Sequence, residues 1–148
     1  MSLHNYDPSR VTLSFLGIDI SDFQNATFID VERNEDAFKT HTGSLGDKTV
    51  TRILDRGGKV TITLMAHGNS NDFLSLILKD AEQFGLVSGL TVGSLQIKDL
   101  GGATRVHAEA AWIVKQPKIE RAMDGNTSTV WVIECADIEM FSGGNVGP

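Results

Sequence analysis

Histidine, cysteine and clustered carboxylate side chains are the groups of this sequence that could bind a metal ion or catalyse a reaction. The histidines and the cysteine are His4, His41, His67, His107 and Cys135. No two histidines stand at metal-ligand spacing, and a single cysteine cannot form a paired-thiolate site. The chain has no Gly-x-Ser-x-Gly motif, and residues 57–59 (GGK) lack the spacing and the hydroxyl of a phosphate-binding loop. The sequence therefore predicts no catalytic, cofactor-binding or metal site.

Two groups of carboxylates are the strongest remaining candidates for chemistry. Glu134, Asp137 and Glu139 lie near the end of the last predicted strand, and Asp30 and Glu32 share one face of the second. Two carboxylates at a defined separation can hydrolyse a glycosidic bond, but no pattern here sets that separation. A carboxylate-dependent hydrolase is therefore one alternative. The others are a solvated surface and an acidic lining that keeps a polyanion from binding.

The composition fits one domain with its own core. The 148 residues are 41% hydrophobic and carry a formal net charge of −6. That charge argues against a conventional nucleic-acid binder, which would carry a basic stripe to neutralise phosphates. No apolar run reaches the roughly 18 residues of a membrane span, so no membrane partner is expected. With one cysteine and no signal-peptide pattern at the start, the chain is expected to be synthesised in a reducing cytoplasm.

Alternating apolar residues predict a series of β-strands. Residues 11–15 alternate up to a break near Gly17, and residues 26–36 form a second strand followed by a charged turn. Residues 59–67 have a clean period of two, with Val60, Ile62, Leu64 and Ala66 facing inwards. Later strands are predicted in 94–100, 104–115 and 127–141. In the middle one of these, the residues expected to share one face are Val106, Ala108, Ala110, Trp112 and Val114.

A helical pattern interrupts the strands over residues 70–84. The residues at helical spacing are Phe73, Leu74, Ile77, Leu78, Ala81 and Phe84. Asn69, Ser70 or Asn71 can cap its start, and Gly85 is suited to end it. One helix among many strands predicts a mainly β fold, a small β-barrel or sandwich with one flanking helix.

Residues 37–54, AFKTHTGSLGDKTVTRIL, form a predicted long hairpin arm. Its two limbs surround a Gly-rich tip, and neither limb carries a complete apolar stripe. A strand that is polar on both faces buries little against its own domain, and its unpaired backbone groups can pair with another chain. A mobile surface loop is the alternative interpretation. As a contact surface, the arm would present Phe38, Thr40, Leu45, Asp47, Lys48, Val50 and Arg52.

Several segments together resemble a known family. In order, they are YDPSRVTLSFLG, TFIDVERNEDAF, DRGGKVTITL, SNDFLSLIL, QIKDLGG, AEAAWIVK and IECADIEMFSGGN. This series resembles the tail tube (inner tube) proteins of contractile-tailed bacteriophages, from about Tyr6 to Asn145. The resemblance implies one tail-tube domain over 1–148, related in fold to the secreted tube protein of type VI systems. It has a flexible N-terminal arm (1–9) and a C-terminal tail (142–148).

The resemblance also implies a function and partners. Hexameric rings would stack into a hollow tube inside a contractile sheath, and the tube would conduct phage DNA without binding it specifically. The implied partners are further copies of the chain, the sheath, the tape-measure protein, the baseplate and the tail terminator, in the virion. No catalysis and no cofactor are implied. Because DNA must slide, acidic side chains such as Glu109 or Glu134 are expected to face the bore.

Three other functions remain open at this point. A type VI secretion tube or a bacteriocin-like tail tube would keep the same fold in another setting. A monomeric ligand-binding β-barrel would use its tryptophan-containing strands to line a pocket. The carboxylate-dependent hydrolase is the enzyme alternative.

Overall fold

The computed structural model describes residues 11–23, 28–99, 103–125 and 127–143. These residues form a mainly β structure with one helix, which confirms the predicted fold class. In chain order the elements are β1 (Val11–Phe15), β2 (Ile18–Ile20), β3 (Ile29–Arg33), β4 (Phe38–Thr42), β5 (Lys48–Arg52), β6 (Gly58–Met65), α1 (Ser70–Phe84), β7 (Gly93–Asp99), β8 (Arg105–Ile113), β9 (Ser128–Cys135) and β10 (Ile138–Phe141). The N-terminal arm predicted over 1–9 and the tail beyond residue 143 lie outside the described residues.

The larger sheet is antiparallel and curls towards closure. Its strands follow the order β2-β1-β7-β8-β9-β6-β3, and β10 also pairs with β8. Phe23 forms a bridge with Leu64, and the N–H of Met65 donates to the carbonyl of Asp22 over 2.8 Å. β2 is the strand at one edge of the sheet, and the residues just after it pair with β6, which is next to the opposite edge. This connection gives the partly closed barrel that avoids long open edges.

The core lies inside this curled sheet and beneath the helix. Successive strand residues point to opposite faces, so each strand contributes every second side chain. In β6 the predicted inward residues Val60, Ile62 and Leu64 are fully buried, whereas Ala66, just beyond the strand, is only half-buried. The other large side chains with almost no exposed surface are Leu13, Phe15, Leu74, Leu95, Trp131, Ile133, Cys135 and Ile138.

Helix α1 has the predicted bounds and covers the core with one face. Leu74, Ile77 and Leu78 are buried on that face. The N-cap is Asn69, although its side chain makes no capping hydrogen bond, and the helix ends at Gly85. Gly85 has a φ of +80° and donates its N–H to the carbonyl of Ala81 over 2.8 Å. No helix among the described residues has the length and apolar character to cross a membrane.

The break expected near Gly17 is a tight hairpin. Phe15 pairs with Ile18, so Leu16 and Gly17 form a two-residue turn between β1 and β2. Both have positive φ, 55° and 79°, which is the type I′ geometry that matches the twist of paired strands. The residues after Gly17 therefore form a short additional strand, because the turn reverses the chain.

The face predicted for the strand at 104–115 is wrong in its second half. Val106 and Ala108 are buried as expected, but the next buried residues are Ala111 and Ile113, while Val114 is exposed. The cause is a bulge. Gly93 pairs with Ala111 and Leu95 with Ala108, so β8 advances by three residues where β7 advances by two. One extra residue reverses the faces beyond it.

The last predicted strand is divided in the same region. β9 ends at Cys135 and β10 begins at Ile138, with Ala136 and Asp137 between them. Cys135 pairs with Ala111 and Ile138 with Ala108. The break between β9 and β10 therefore lies opposite the bulge in β8. Glu109 and Ala110 of β8 therefore stand opposite this break in the pairing.

Candidate functional site

The arm predicted over 37–54 is a separate two-stranded sheet. β4 and β5 pair antiparallel from Phe38↔Arg52 to Thr42↔Lys48. At the tip, the N–H of Gly43 donates to the carbonyl of Asp47 over 2.7 Å, and Gly46 has a φ of +89°. At the base, the N–H of Ile53 donates to the carbonyl of Ala37 over 2.9 Å. The hairpin thus satisfies its own inner backbone groups without the larger sheet.

Every side chain of the two arm strands is exposed. Phe38 and Val50 each expose 61% of their surface, and Leu45 at the tip exposes 91%. A two-stranded hairpin is marginally stable by itself and normally needs a hydrophobic face packed against something. Exposed large apolar residues grouped on one element mark a surface that binds another molecule.

The register places most of the predicted contact residues on one face of the arm. Directly opposed residues of an antiparallel pair project to the same side. Phe38 lies opposite Arg52, Thr40 opposite Val50, and Lys48 opposite Thr42. The other two predicted residues, Leu45 and Asp47, are at or beside the tip. The arm therefore presents one face that carries both apolar and basic side chains. The pairing of the two limbs that forms this face was not given by the sequence.

A second group of exposed apolar residues lies on the helix and in the segment after it. Its members are Leu76 and Phe84 on α1 and Leu86, Val87 and Leu90 in the segment leading to β7. Thr91 organises that segment, because its hydroxyl accepts the N–H of Val87 over 2.7 Å. This ordered apolar segment was not among the predicted contact residues.

The two acidic residues predicted to line a bore lie on the outer face of the larger sheet. Glu109 is exposed beside the bulge in β8. Glu134 is half-buried and stands in register with Lys59 on one side and Trp112 on the other. Glu134 therefore has a cationic neighbour, while Glu109 lies opposite the strand break that contains Asp137. Their position relative to a bore stays a prediction.

The groups first considered for catalysis have ordinary structural surroundings. Burial raises the pKa of the Cys135 thiol to about 11, so it is protonated at neutral pH and is a poor nucleophile. Asp137 contacts Arg56, with 3.6 Å between Nε and Oδ1. In the described part of the chain, no three His, Cys, Asp or Glu side chains are grouped so as to hold a metal ion.

One feature that the sequence patterns did not predict is a basic cleft beside the arm. It has a volume of about 610 Å³, and its charged lining comprises Arg33, Arg56, Lys98, Arg105 and Glu139, with His107 among them. A smaller cavity of about 220 Å³ lies against the base of the arm and shares Arg33 and Arg56 with the cleft. These cations are scattered along the sequence and form no run, so no local signal could have revealed the cleft.

The fold, a curled antiparallel barrel with one helix, is shared with solved chains of contractile injection systems. A chain of the anti-feeding prophage cap, which terminates its tube, matches with a TM-score of 0.64 and 8% identity, over 96% of this chain and 94% of that one. A chain of the sheath–tube complex of the PVC extracellular contractile injection system, in the extended state, matches with a TM-score of 0.57 and 11% identity. That match covers 94% of this chain and 93% of the other.

A sequence relative comes from a phage. Structural protein ORF10 of Pseudomonas phage KPP10 is 26% identical to this chain, and the alignment covers 95% of this chain and 83% of the relative. No family model matches the chain. The resemblance to a tail-tube-like protein is confirmed by these similarities, in the fold of the solved structures and in the phage origin of the relative.

Proposed function

We propose that the chain is the structural subunit of a phage tail tube, in which hexameric rings stack into a hollow tube. The arm is the observation that carries this proposal. It is a hairpin whose strands are exposed on both faces, with Phe38, Val50 and Leu45 offered to solvent. Since such a hairpin gains little from its own domain, a neighbouring copy of the chain is the partner that completes it.

The geometry of such an assembly follows from the contact type. The arm of one copy meets a different surface of the next, so the contact is heterologous. Heterologous contacts close within a ring and remain open along its axis, where they generate a filament. A ring of copies stacked through arms therefore gives a tube.

The partners of the tube follow from the setting. The solved relatives come from a sheath–tube complex and a tube-terminating cap, which supports a sheath and a terminator as partners here. A tape-measure protein in the bore, a baseplate at the end, synthesis in the host cytoplasm and incorporation into the virion complete the proposal. The protein has no enzymatic role in it.

The bore is expected to be more acidic than basic. DNA slides past a wall that does not pair with its phosphates. Glu109, which is exposed on the outer sheet face, is the better of the two candidates, because Glu134 is half-buried beside Lys59. A reconstruction of the tube that shows a bore ringed mainly by arginine would contradict this expectation.

The phage setting is favoured over a secretion or bacteriocin-like tube by one observation. The sequence relative, which the chain matches over 95% of its own length, is a structural protein of a phage. The fold by itself fits either setting, because the solved structures come from injection systems.

The direct test is the assembly state of the purified protein. Negative-stain microscopy and light scattering after size-exclusion chromatography should show rings or tubes, with a hexamer at about 96 kDa from copies of 16.0 kDa. Deleting residues 43–48 should leave the circular dichroism spectrum of the domain intact and reduce tube formation. A protein that stays monomeric at high concentration would contradict the proposal, and normal tubes after the deletion would contradict the role of the arm.

A further inference from the structure

The basic cleft concentrates positive charge in an acidic protein. The chain has 13 Lys and Arg against 19 Asp and Glu, yet four of its cations, Arg33, Arg56, Lys98 and Arg105, line this one cleft. Among the described residues, Glu139 is the one carboxylate of its lining. The cleft is therefore locally positive on a chain whose net charge is −6.

Internal contacts orient these cations without neutralising them. Arg33 Nη2 donates to the carbonyl of Ile138 over 3.0 Å, and the guanidinium of Arg105 lies 5.9 Å from the centre of the Phe141 ring. Each contact leaves most of the five N–H donors of an arginine unused. Arg56 meets Asp137 at 3.6 Å, but the two side chains expose 45% and 68% of their surface, and ion pairs in contact with water are weak.

Lys98 and His107 are two further residues of the cleft lining. Lys98 forms no ion pair within the described ranges. The Nδ1 atom of His107 is buried and has no hydrogen-bond partner among the described residues. Lys98 is exposed and can therefore pair with a carboxylate that enters the cleft, whereas the His107 atom has no exposed surface for such a contact.

We propose that this cleft accepts carboxylate side chains of a second copy of the chain. The inference rests on the proposed self-assembly and names a surface that carries it. Copies with a net charge of −6 repel one another as wholes, so their contacts must pair opposite charges locally. Arginine is suited to this because its planar fork binds a carboxylate through two parallel hydrogen bonds.

A protein segment fits the lining better than a nucleic acid does. Val106, Met140 and Phe141 also line the cleft, and the last two are exposed. Apolar side chains beside a carboxylate would cover them, whereas a phosphate backbone would leave them in contact with water. The acidic remainder of the chain also repels DNA. The cleft adjoins the cavity at the base of the arm, so both surfaces can belong to one contact.

Zero-length carbodiimide cross-linking of assembled protein tests the proposal. This reagent joins a lysine amine to a carboxylate that touches it, and Lys98 is the one lysine that the described part of the chain contributes to the cleft lining. Tubes would be assembled from a mixture of heavy-isotope-labelled and unlabelled copies. We expect peptides that join Lys98 to an Asp or Glu in mixed-isotope pairs, and their loss in Lys98→Gln. Lys118, which pairs with Glu120 of its own chain, is the control and should give links within one copy.

A variant provides an independent measurement. Lys98→Gln combined with Arg105→Gln should weaken assembly by about tenfold or more, because it removes charge-assisted hydrogen bonds across the contact. The thermal transition of the unassembled variant should be unchanged, since both side chains are exposed. Lys118→Gln is the matched control and should assemble like the unaltered chain.

Each contrary result has a distinct meaning. Normal assembly of the double variant, or the absence of mixed-isotope links at Lys98 in tubes of the unaltered chain, would overturn this inference and leave the tube function standing. Failure of the unaltered chain to assemble would overturn both. Binding of a DNA duplex that is lost in the double variant would assign the cleft to phosphate and overturn the carboxylate proposal.

Discussion

Trp131 and Asn71 join the last long strand to the first turn of the helix. The indole Nε1 of Trp131, a side chain only 1% exposed, donates to Oδ1 of Asn71 over 2.8 Å. The Nδ2 atom of Asn71 in turn donates to the carbonyls of Met65 and Gly68 over 2.9 Å and 3.2 Å. One amide thus connects β9, the end of β6 and the first turn of α1.

Replacing Asn71 by alanine should destabilise the fold. The buried indole N–H would lose its acceptor, and an unsatisfied buried donor costs about 1–3 kcal/mol. Urea unfolding of the monomer, followed by tryptophan fluorescence, should show a lower midpoint with an unchanged slope. Asn69→Ala is the control, because the side chain of Asn69 is exposed and makes no capping hydrogen bond. Equal losses in the two variants would show that the Trp131 hydrogen bond is not the cause.

A charge on one face of the arm should block assembly, and a charge on the other face should not. Val50 lies on the face with Phe38 and Arg52, and its neighbour Thr49 faces the opposite side with His41. We expect Val50→Asp to weaken assembly by about tenfold or more, as burying an unpaired carboxylate at a contact does. Thr49→Asp should have a small effect. Sedimentation velocity measures both, and equal effects would show that the contact does not follow this face.

Adding a methyl group at Gly58 should strain the core. A Cβ there would lie 2.8 Å from the carbonyl oxygen of Glu32 and 2.8 Å from Cγ2 of Ile138. Because the first contact is backbone of the paired strand, it cannot move aside easily. Gly58→Ala should cost about 1–3 kcal/mol of unfolding free energy.

The matched control for that substitution is in the arm. A Cβ at Gly43 would meet only the carbonyl oxygen of Asp47 at 3.6 Å, an ordinary contact. Gly43→Ala should therefore stay within about 0.5 kcal/mol of the unaltered protein. Thermal or urea unfolding measures both variants. A Gly58→Ala protein as stable as Gly43→Ala would contradict the close approach of β3 and β6.

The buried thiol of Cys135 should make stability fall in alkaline solution. Burial, and next the charge of Glu134, raise its pKa from 9.0 to about 11. The unfolded chain therefore releases this proton at a lower pH than the folded chain. The contribution of the neutral thiol to the unfolding free energy is complete below pH 9 and falls as the pH rises to about 11. The raised pKa corresponds to a loss of about 2–3 kcal/mol of unfolding free energy across this pH range.

Comparison with Cys135→Ala isolates this contribution. All other ionisable groups are common to both proteins, so only the difference between their unfolding free energies reports the thiol. That difference should narrow as the pH rises from 9 to 11. A constant difference across this range would show that the thiol is not buried in its neutral form.

The sequence was most informative where local pattern decides structure. Helix α1 has the predicted bounds of 70–84, because its apolar stripe and Gly85 are properties of neighbouring residues. The hairpin at 37–54 also forms where its Gly-rich tip predicts it. The alternation of Val60, Ile62 and Leu64 gave the inner face of β6 correctly, since a strand without a bulge keeps its period of two.

The sequence-based predictions were wrong or incomplete where the pairing of strands that are distant in the chain determines the structure. The bulge that turns Ala111 and Ile113 inwards depends on how β8 pairs with β7, and no pattern within β8 shows it. The basic cleft has the same origin, because Arg33, Lys98 and Arg105 meet only when three strands are placed around it. Its cations are far apart in the chain and look like ordinary surface residues.

The amino-acid sequence by itself determined the mainly β class, the single helix, the projecting hairpin and the resemblance to tube proteins. These features depend on side-chain periodicity, turn residues and short motifs that act within a few residues of one another. Only the tertiary structure decided which residues of the two arm limbs stand opposite each other, where the bulge of the larger sheet lies and which cations share a cleft. Those depend on register, and register is set by pairing between strands that are far apart in the chain.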